Sequence, residues 1–233
     1  MHLLPLVPSV HPSVRLAGAG LAGRQALCEA VLAHDGHACR FCGLPAGSWQ
    51  DVFHLDDDHA NWSEENLAAA CPLCVGVQHI GGPAANDDFR VIWLPELTQN
   101  LLNAVVRGIH LAFHARGAAP TLARRPERDD PELALAWRAY ATLDRRATGA
   151  CSAIDTSEPR ALAAALLALS SRDYARRGTL LGGLRLLHRG TRVRGGQDTY
   201  PVQLAAWAAP IREAVGPVAS GRAQGTPWPA RSR

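Results

Sequence analysis

CRFCGLPAGSWQDVFHLDDDHANWSEENLAAACPLC, residues 39–74, is the stretch on which the fold turns. Two Cys-x-x-C pairs, Cys39/Cys42 and Cys71/Cys74, stand at its ends. Thiolates bind zinc tetrahedrally, and a Cys-x-x-C turn aims two sulfurs at one ion. Gly43 relaxes the turn after the first pair. The spacer from Gly43 to Ala70 exceeds the ~15–20 residues of the commoner ribbon spacing, so a hairpin or similar element is inserted between the knuckles. Four thiolates leave a tetrahedral ion no open position. Cys39, Cys42, Cys71 and Cys74 are therefore expected to hold a structural Zn2+ that braces the fold and performs no chemistry. Cys28, on the apolar face of its helix, reads as core, and Cys151 carries no signal.

Composition sets the compartment. The 233 residues suit one sizeable domain, or a small one with an extension, and their apolar content is enough to bury a core. The formal net charge is +3, and every basic side chain besides histidine is Arg, none Lys. A charge this small does not argue for nucleic acid. The opening MHLLPLVPSVHPSVRL has prolines at 5, 8 and 12 and no basic region ahead of its apolar residues, unlike a secretory signal. No apolar run reaches the ~18–20 residues of a membrane span. A reducing cytoplasm fits best, and there paired Cys-x-x-C reads as metal before disulfide.

Outward from the knuckles, Leu3 to Val14 reads as a strand-like start broken by prolines, followed by a Gly-rich turn. Arg24 to His34 has Leu27, Val31 and Leu32 at helical spacing, with Gly36 as a stop. Ser63 to Leu67 reads as a helix start, Gly81 to Asp88 as a loop, and Phe89 to Leu94 as a strand. Pro95 is expected to open a helix that carries Leu97, Leu101, Val105, Ile109 and Phe113 toward the core. Residues 116–130 read as a solvated loop, Pro131 to Thr148 as a helix with Leu133, Trp137, Tyr140 and Ala141 on one side, and Pro159 to Ser170 as a short helix. Tyr174 to Leu187 reads as helical with a break near Gly182-Gly183, and Pro201 to Ala214 as a last helix holding Leu204 and Trp207. Arg124–Arg128 and Arg172–Arg177 read as solvated faces, or as partners for acidic segments.

The polar run HLDDDHANWSEEN, His54 to Asn66, lies where an HNH nuclease keeps its catalytic residues. Such a site needs a general-base His at the end of the first strand of a ββα unit and further His or Asn ligands around a divalent metal. His54 follows WQDVF, a plausible first strand, and Asn66 precedes Leu67 as the middle Asn of the pattern does. Asp58 and His59 complete the candidate catalytic set of His54, Asp58, His59 and Asn66, and Asp56 and Asp57 stand beside them. Against this, the last His of the pattern usually follows the second Cys pair closely, whereas His79 lies five residues beyond Cys74. The acidic run also opposes phosphate, whose neutralisation supplies most DNA affinity, and this weakens a DNA-binding zinc module as well. Asn66 has a structural use at a helix start.

A more specific match then emerges. The knuckle Cys39–Gly43, Trp49–Asp51, Leu55–Asp58, Asn66–Leu67, Cys71–Cys74 and the LPELTQ segment Leu94–Gln99 together resemble the IcmJ (DotN) family of type IVB secretion systems. Weaker similarity continues to LRLL at Leu184–Leu187 and QLAAWAA at Gln203–Ala209. The elements read along the chain make an α+β protein, a small knuckle module followed by a mainly α-helical C-terminal half. Residues 1–94 would carry the N-terminal strand and helix with the knuckle module, 95–216 a helical region packed on it, and 217–233, which lack periodicity, a disordered tail; for the knuckle module the resemblance implies an HNH-like ββα zinc-bound fold. It further implies a non-enzymatic adaptor of the cytoplasmic coupling complex, peripheral to the inner membrane. Its partners would be the C-terminal tail of the coupling ATPase and other coupling-complex subunits, with a role in effector recruitment, while the small net charge and the acidic run speak against nucleic acid. The family pattern has Asn where His54 stands and Tyr where His59 stands, so this chain is closer to an HNH site than its relatives, and a divalent-metal endonuclease remains the alternative.

Overall fold

The computed structural model describes residues 3–10, 24–123, 125–126 and 129–215. Among them helices alternate with three two-stranded sheets. The expected tail 217–233, the Gly-rich turn, residues 11–14 of the expected N-terminal strand, and Arg124, Glu127 and Arg128 of the arginine loop lie outside the described residues. Residues 3–10 are extended but pair into no sheet among the described residues: Leu4 N donates to Arg40 O at 2.8 Å and Ser9 N to Val77 O at 3.0 Å. Pro5 and Pro8 have no N–H, so the segment cannot complete a strand ladder. It is held instead by isolated bonds and by burial of Leu6 and Val10.

Helix α1 spans Gln25–His34, and the chain turns away through Gly36 at φ +61°. Strand β1, Asp51–His54, pairs antiparallel with β2, Leu67–Ala70, with His54 opposite Leu67 and Asp51 opposite Ala70. Helix α2, Pro72–Gln78, follows at once with Pro at its first position, where a missing N–H costs nothing. The expected helix start at Ser63 is only a single 3-10 turn, Glu64–Asn66, because the chain enters β2 at Leu67; Ser63 makes no side-chain cap.

A short α3, Ala85–Asp88, leads into β3, Phe89–Trp93. Helix α4 spans Gln99–Ala115 and begins at Gln99 rather than Pro95, since the Thr98 hydroxyl caps it by accepting from Leu101 N. The expected Pro131–Thr148 helix is divided at Arg146 into α5, Pro131–Arg145, and α6, Ala147–Ile154. After α7, Pro159–Leu167, two short helices follow, α8, Ser171–Ala175, and α9, Arg177–Leu180. The expected helix to Leu187 ends there. Leu184–His188 is strand β4, paired antiparallel with β3, Phe89 opposite His188 and Trp93 opposite Leu184. A small hairpin, β5 Val193–Arg194 and β6 Gln197–Asp198, turns on Gly195 and Gly196, both at positive φ as a two-residue hairpin turn demands. Helix α10, Tyr200–Val215, closes the described chain, with Tyr200, Leu204 and Trp207 buried.

The β3–β4 sheet is buried on both faces. Val91 and Leu186 face one core, shared with the cysteines, Phe41, Leu73 and Trp207, while Ile92 and Leu187 face a second, shared with Leu102, Val106, Phe113 and Tyr140. The face of α4 that enters the core is not the expected stripe. Gln99, Leu102, Asn103, Val106, His110 and Phe113 are buried, whereas Leu101 and Val105 are 51% and 45% exposed. Buried polar side chains are tolerated where they are hydrogen-bonded: Gln99 and Asn103 bond at the site described next, and His110 Nδ1 lies 2.8 Å from the Tyr200 hydroxyl.

Candidate metal centre

The first Cys-x-x-C is a tight turn in which Gly43 N donates to Cys39 O at 2.8 Å and Cys39 N to Leu44 O at 2.9 Å, with Gly43 at φ +72°. The second sits at the start of α2, where Cys74 N and Val75 N both donate to Cys71 O at 2.9 Å. The turn and the helix start meet, and the ligand atoms of Cys39, Cys42, Cys71 and Cys74 all lie within 4.8 Å of one another. Cys42 Sγ and Cys71 Sγ are 3.6 Å apart. A tetrahedral site with metal–sulfur bonds of ~2.3 Å sets its sulfurs about 3.8 Å apart, so this spacing fits a metal. Four sulfurs in this arrangement could hold one ion, and no other group of three or more Cys, His, Asp or Glu among the described residues converges in this way.

The site is wired to α4. Asn103 Nδ2 lies 3.3 Å from Cys74 Sγ and donates to Leu73 O at 3.4 Å. Arg107 Nη1 lies 3.2 Å from Cys42 Sγ. Gln99 Nε2 donates to Asn103 Oδ1 at 2.9 Å and to Leu186 O at 2.9 Å, while its Oε1 accepts from Leu186 N at 2.8 Å. That amide pairs with the free edge of β4 as a strand residue would. Asn100 Nδ2 donates to Phe41 O, inside the first knuckle, at 2.9 Å. Asp35, buried, holds the other side: it accepts from Ala69 N at 2.8 Å and from Arg40 Nη1 at 2.6 Å. Burial pushes its carboxyl up, but those two bonds outweigh it and hold the acid below the usual carboxylate range.

The electrostatics of the cluster are uneven. The Cys42 thiol is held far below its usual value by hydrogen bonds from Cys39, Cys71 and Cys74, with the Arg107 charge adding. Burial pushes Cys74 well up, and Cys71 rises through its contact with Cys39. Four thiolates in one buried spot repel, and a divalent cation is what lets all four ionise together. Gln99, Asn103 and Arg107 escaped the sequence reading. Their signal was a polar residue every fourth position through an apolar helix.

The candidate catalytic residues are divided by the structure. His54, at the end of β1, and His59 come together with ring centroids 4.7 Å apart. His79 joins them, 4.9 Å from His59, although its distance in sequence had argued against it. Asn66 and Asp58 are committed elsewhere. Asn66 Nδ2 donates to Asp56 Oδ1 at 2.8 Å and Asn61 O at 2.9 Å, and its Oδ1 accepts from Asp56 N at 2.9 Å. Asp58 Oδ1 accepts from Ala60 N at 2.9 Å. These side chains tie the loop between β1 and β2 into a fixed turn, which is a structural use of the polar run. Asp57 is buried at φ +64°, bonded to Gln78 Nε2 at 3.1 Å and paired with Arg177. Arg177 is therefore not a free solvated charge.

Fold and site thus define a mixed protein of helices and small sheets around a four-cysteine cluster. No protein-family model matches the chain. The chain is similar to the type 4 apparatus protein DotN of Legionella pneumophila, 36% identical over 95 residues, which cover 37% of this chain and 40% of that protein. The match thus spans well under two thirds of the relative's length. It bears out the resemblance to the IcmJ (DotN) family read from the knuckle and LPELTQ. No helix among the described residues is long and apolar enough to cross a membrane.

Proposed function

We propose that this chain is a zinc-stabilised, non-enzymatic adaptor of a type IVB-like secretion coupling complex. One observation carries the reading. The helix opened by LPELTQ, the segment most specific to the resemblance, places Asn103 and Arg107 on the sulfurs of the cysteine cluster. The segment and the knuckle form one unit, as a scaffold for assembly requires. The order β1–β2–α2, with cysteines bracketing the hairpin, supports an HNH-like ancestry for that scaffold. The donor set, four cysteine sulfurs within 4.8 Å of one another, favours Zn2+. The commitment of Asn66 and Asp58 to the loop favours a role without nuclease chemistry.

In this reading the protein sits in the cytoplasm, peripheral to an inner-membrane secretion complex. It grips the C-terminal tail of the coupling ATPase, contacts other subunits and aids effector recruitment. Leu101 and Val105, exposed on α4 at adjacent turns of one face, offer apolar contact area for such a tail. Affinity capture of the purified protein by the immobilised tail of the coupling ATPase from the same organism tests the proposal. Retention is expected, with at least about tenfold weaker binding for the Leu101→Asp/Val105→Asp variant, since a few buried apolar anchors carry most of an interface's energy. No association with the tail at tens of micromolar sinks the idea.

A further inference from the structure

The β1–β2–α2 unit gathers three imidazoles at one end. His54 ends β1, His59 lies in the turn beyond it, and His79 caps the C-terminus of α2. The rings follow one another at 4.7 Å and 4.9 Å. Trp62 walls the group, its ring edge-on to His54 at 4.8 Å and its indole N–H bonded to His59 O at 2.9 Å. The Arg24 guanidinium covers that indole at 4.4 Å.

His54 is 4% exposed, and among the described residues neither of its ring nitrogens has a hydrogen-bond partner; Nδ1 of His79 is buried without one there too. Buried side-chain nitrogens without partners are rare and call for an explanation, an ion among them. Asp51, Asp56 and Asp58 bring negative charge to the His54 side, while Arg192 and Arg194 stand near His79.

We propose that His54, His59 and His79 bind a second metal ion, of the imidazole-preferring class of Zn2+, Ni2+ and Cu2+, separate from the cysteine site. Neutral imidazole is the common ligand of that class, and hard cations such as Mg2+ prefer oxygen. Three histidine ligands leave a fourth position for water. The rings are tilted across one another at 35° and 45°, so the ion is captured by rotation of the side chains, His59 foremost as a half-exposed member. Only the sulfurs already converge among the described residues, so the histidine site fills second and binds more weakly. This inference stands apart from the adaptor reading.

The test is calorimetric titration of the full, zinc-loaded chain with Ni2+, alongside metal-to-protein ratios after dialysis. One further equivalent is expected, with no heat from Mg2+. His54→Gln and His79→Gln each weaken it at least tenfold while the cysteine-bound zinc stays, and exposed His37→Gln leaves it unchanged. Should His54→Gln lose its zinc or its cooperative melt, His59→Ala takes its place with the same expected loss. Absence of a second equivalent overturns the proposal. So does equal Ni2+ affinity in the unaltered chain and in His59→Ala and His79→Gln, which would mean scattered surface binding.

Discussion

At Cys42 the guanidinium of Arg107 stands 3.2 Å from the sulfur, and at Cys74 the Asn103 amide stands 3.3 Å away. Hydrogen bonds to metal-bound thiolates spread their charge, and removing such a partner typically costs about 10–100-fold in metal affinity. Asn103→Ala is expected to show that loss in a chelator competition. It should also lower stability by about 1–3 kcal/mol in urea unfolding, because the Gln99 amide and Leu73 O each lose a buried partner. Cys71→Ser is expected to lose the metal and much of the module's stability, since binding and folding are coupled; a metal-retaining variant of unchanged stability would refute the role given to the sulfurs. The clustering of the four cysteines was legible in sequence because a Cys-x-x-C turn is local chemistry. Asn103 and Arg107 were less so, because their meaning depends on which helix face turns inward. His79 was discounted on its sequence distance, yet α2 carries it back to His59.

Among the elements, α4 and β4 teach the most. Period alone pointed Leu101 and Val105 inward, but the polar Gln99, Asn103 and His110 took the buried face because each finds a partner there. The run LRLL carries no period that separates a buried strand from a helix, and only its pairing with β3 reveals it as a strand. Just past β4, Gly190 sits at φ +79°, where an added methyl would stand 2.5 Å from Pro120 O. Gly190→Ala is thus expected to destabilise by at least about 2 kcal/mol, from overpacking and a left-handed backbone. Gly108, inside α4 and with open space around its Cα, is the opposite case. Gly108→Ala should gain about 0.5–1 kcal/mol from helix propensity. Thermal melts of the two variants check both, and a harmless Gly190→Ala would contradict the close approach of the loop before α5.

Taken whole, the molecule hangs two cores on one small sheet and fastens that sheet to the cysteine cluster through α4. Its acid sensitivity should be marked. His110 and His188 are buried, with His110 Nδ1 2.8 Å from the Tyr200 hydroxyl and His188 O accepting from Tyr140 at 3.0 Å. Burial pulls His110 down to about 3 and His188 well below its usual value. The unfolded chain takes up these protons below about pH 6.5, whereas the folded chain refuses them. Stability is therefore complete above that pH and declines as pH falls toward 4, each histidine adding up to ~1.4 kcal/mol per pH unit. Urea midpoints at pH 7 and pH 5 should differ accordingly, and identical midpoints would contradict the burial of these rings. The α+β character and the knuckle could be read in advance; the joining of distant segments through β3, β4 and Gln99 could not, being long-range pairing. The brace itself is the centre of the account, and atomic emission on the freshly purified chain tests it most directly. At least one equivalent of zinc per chain, lost in Cys71→Ser, is the expected result, and a ratio near zero in the unaltered protein would contradict it.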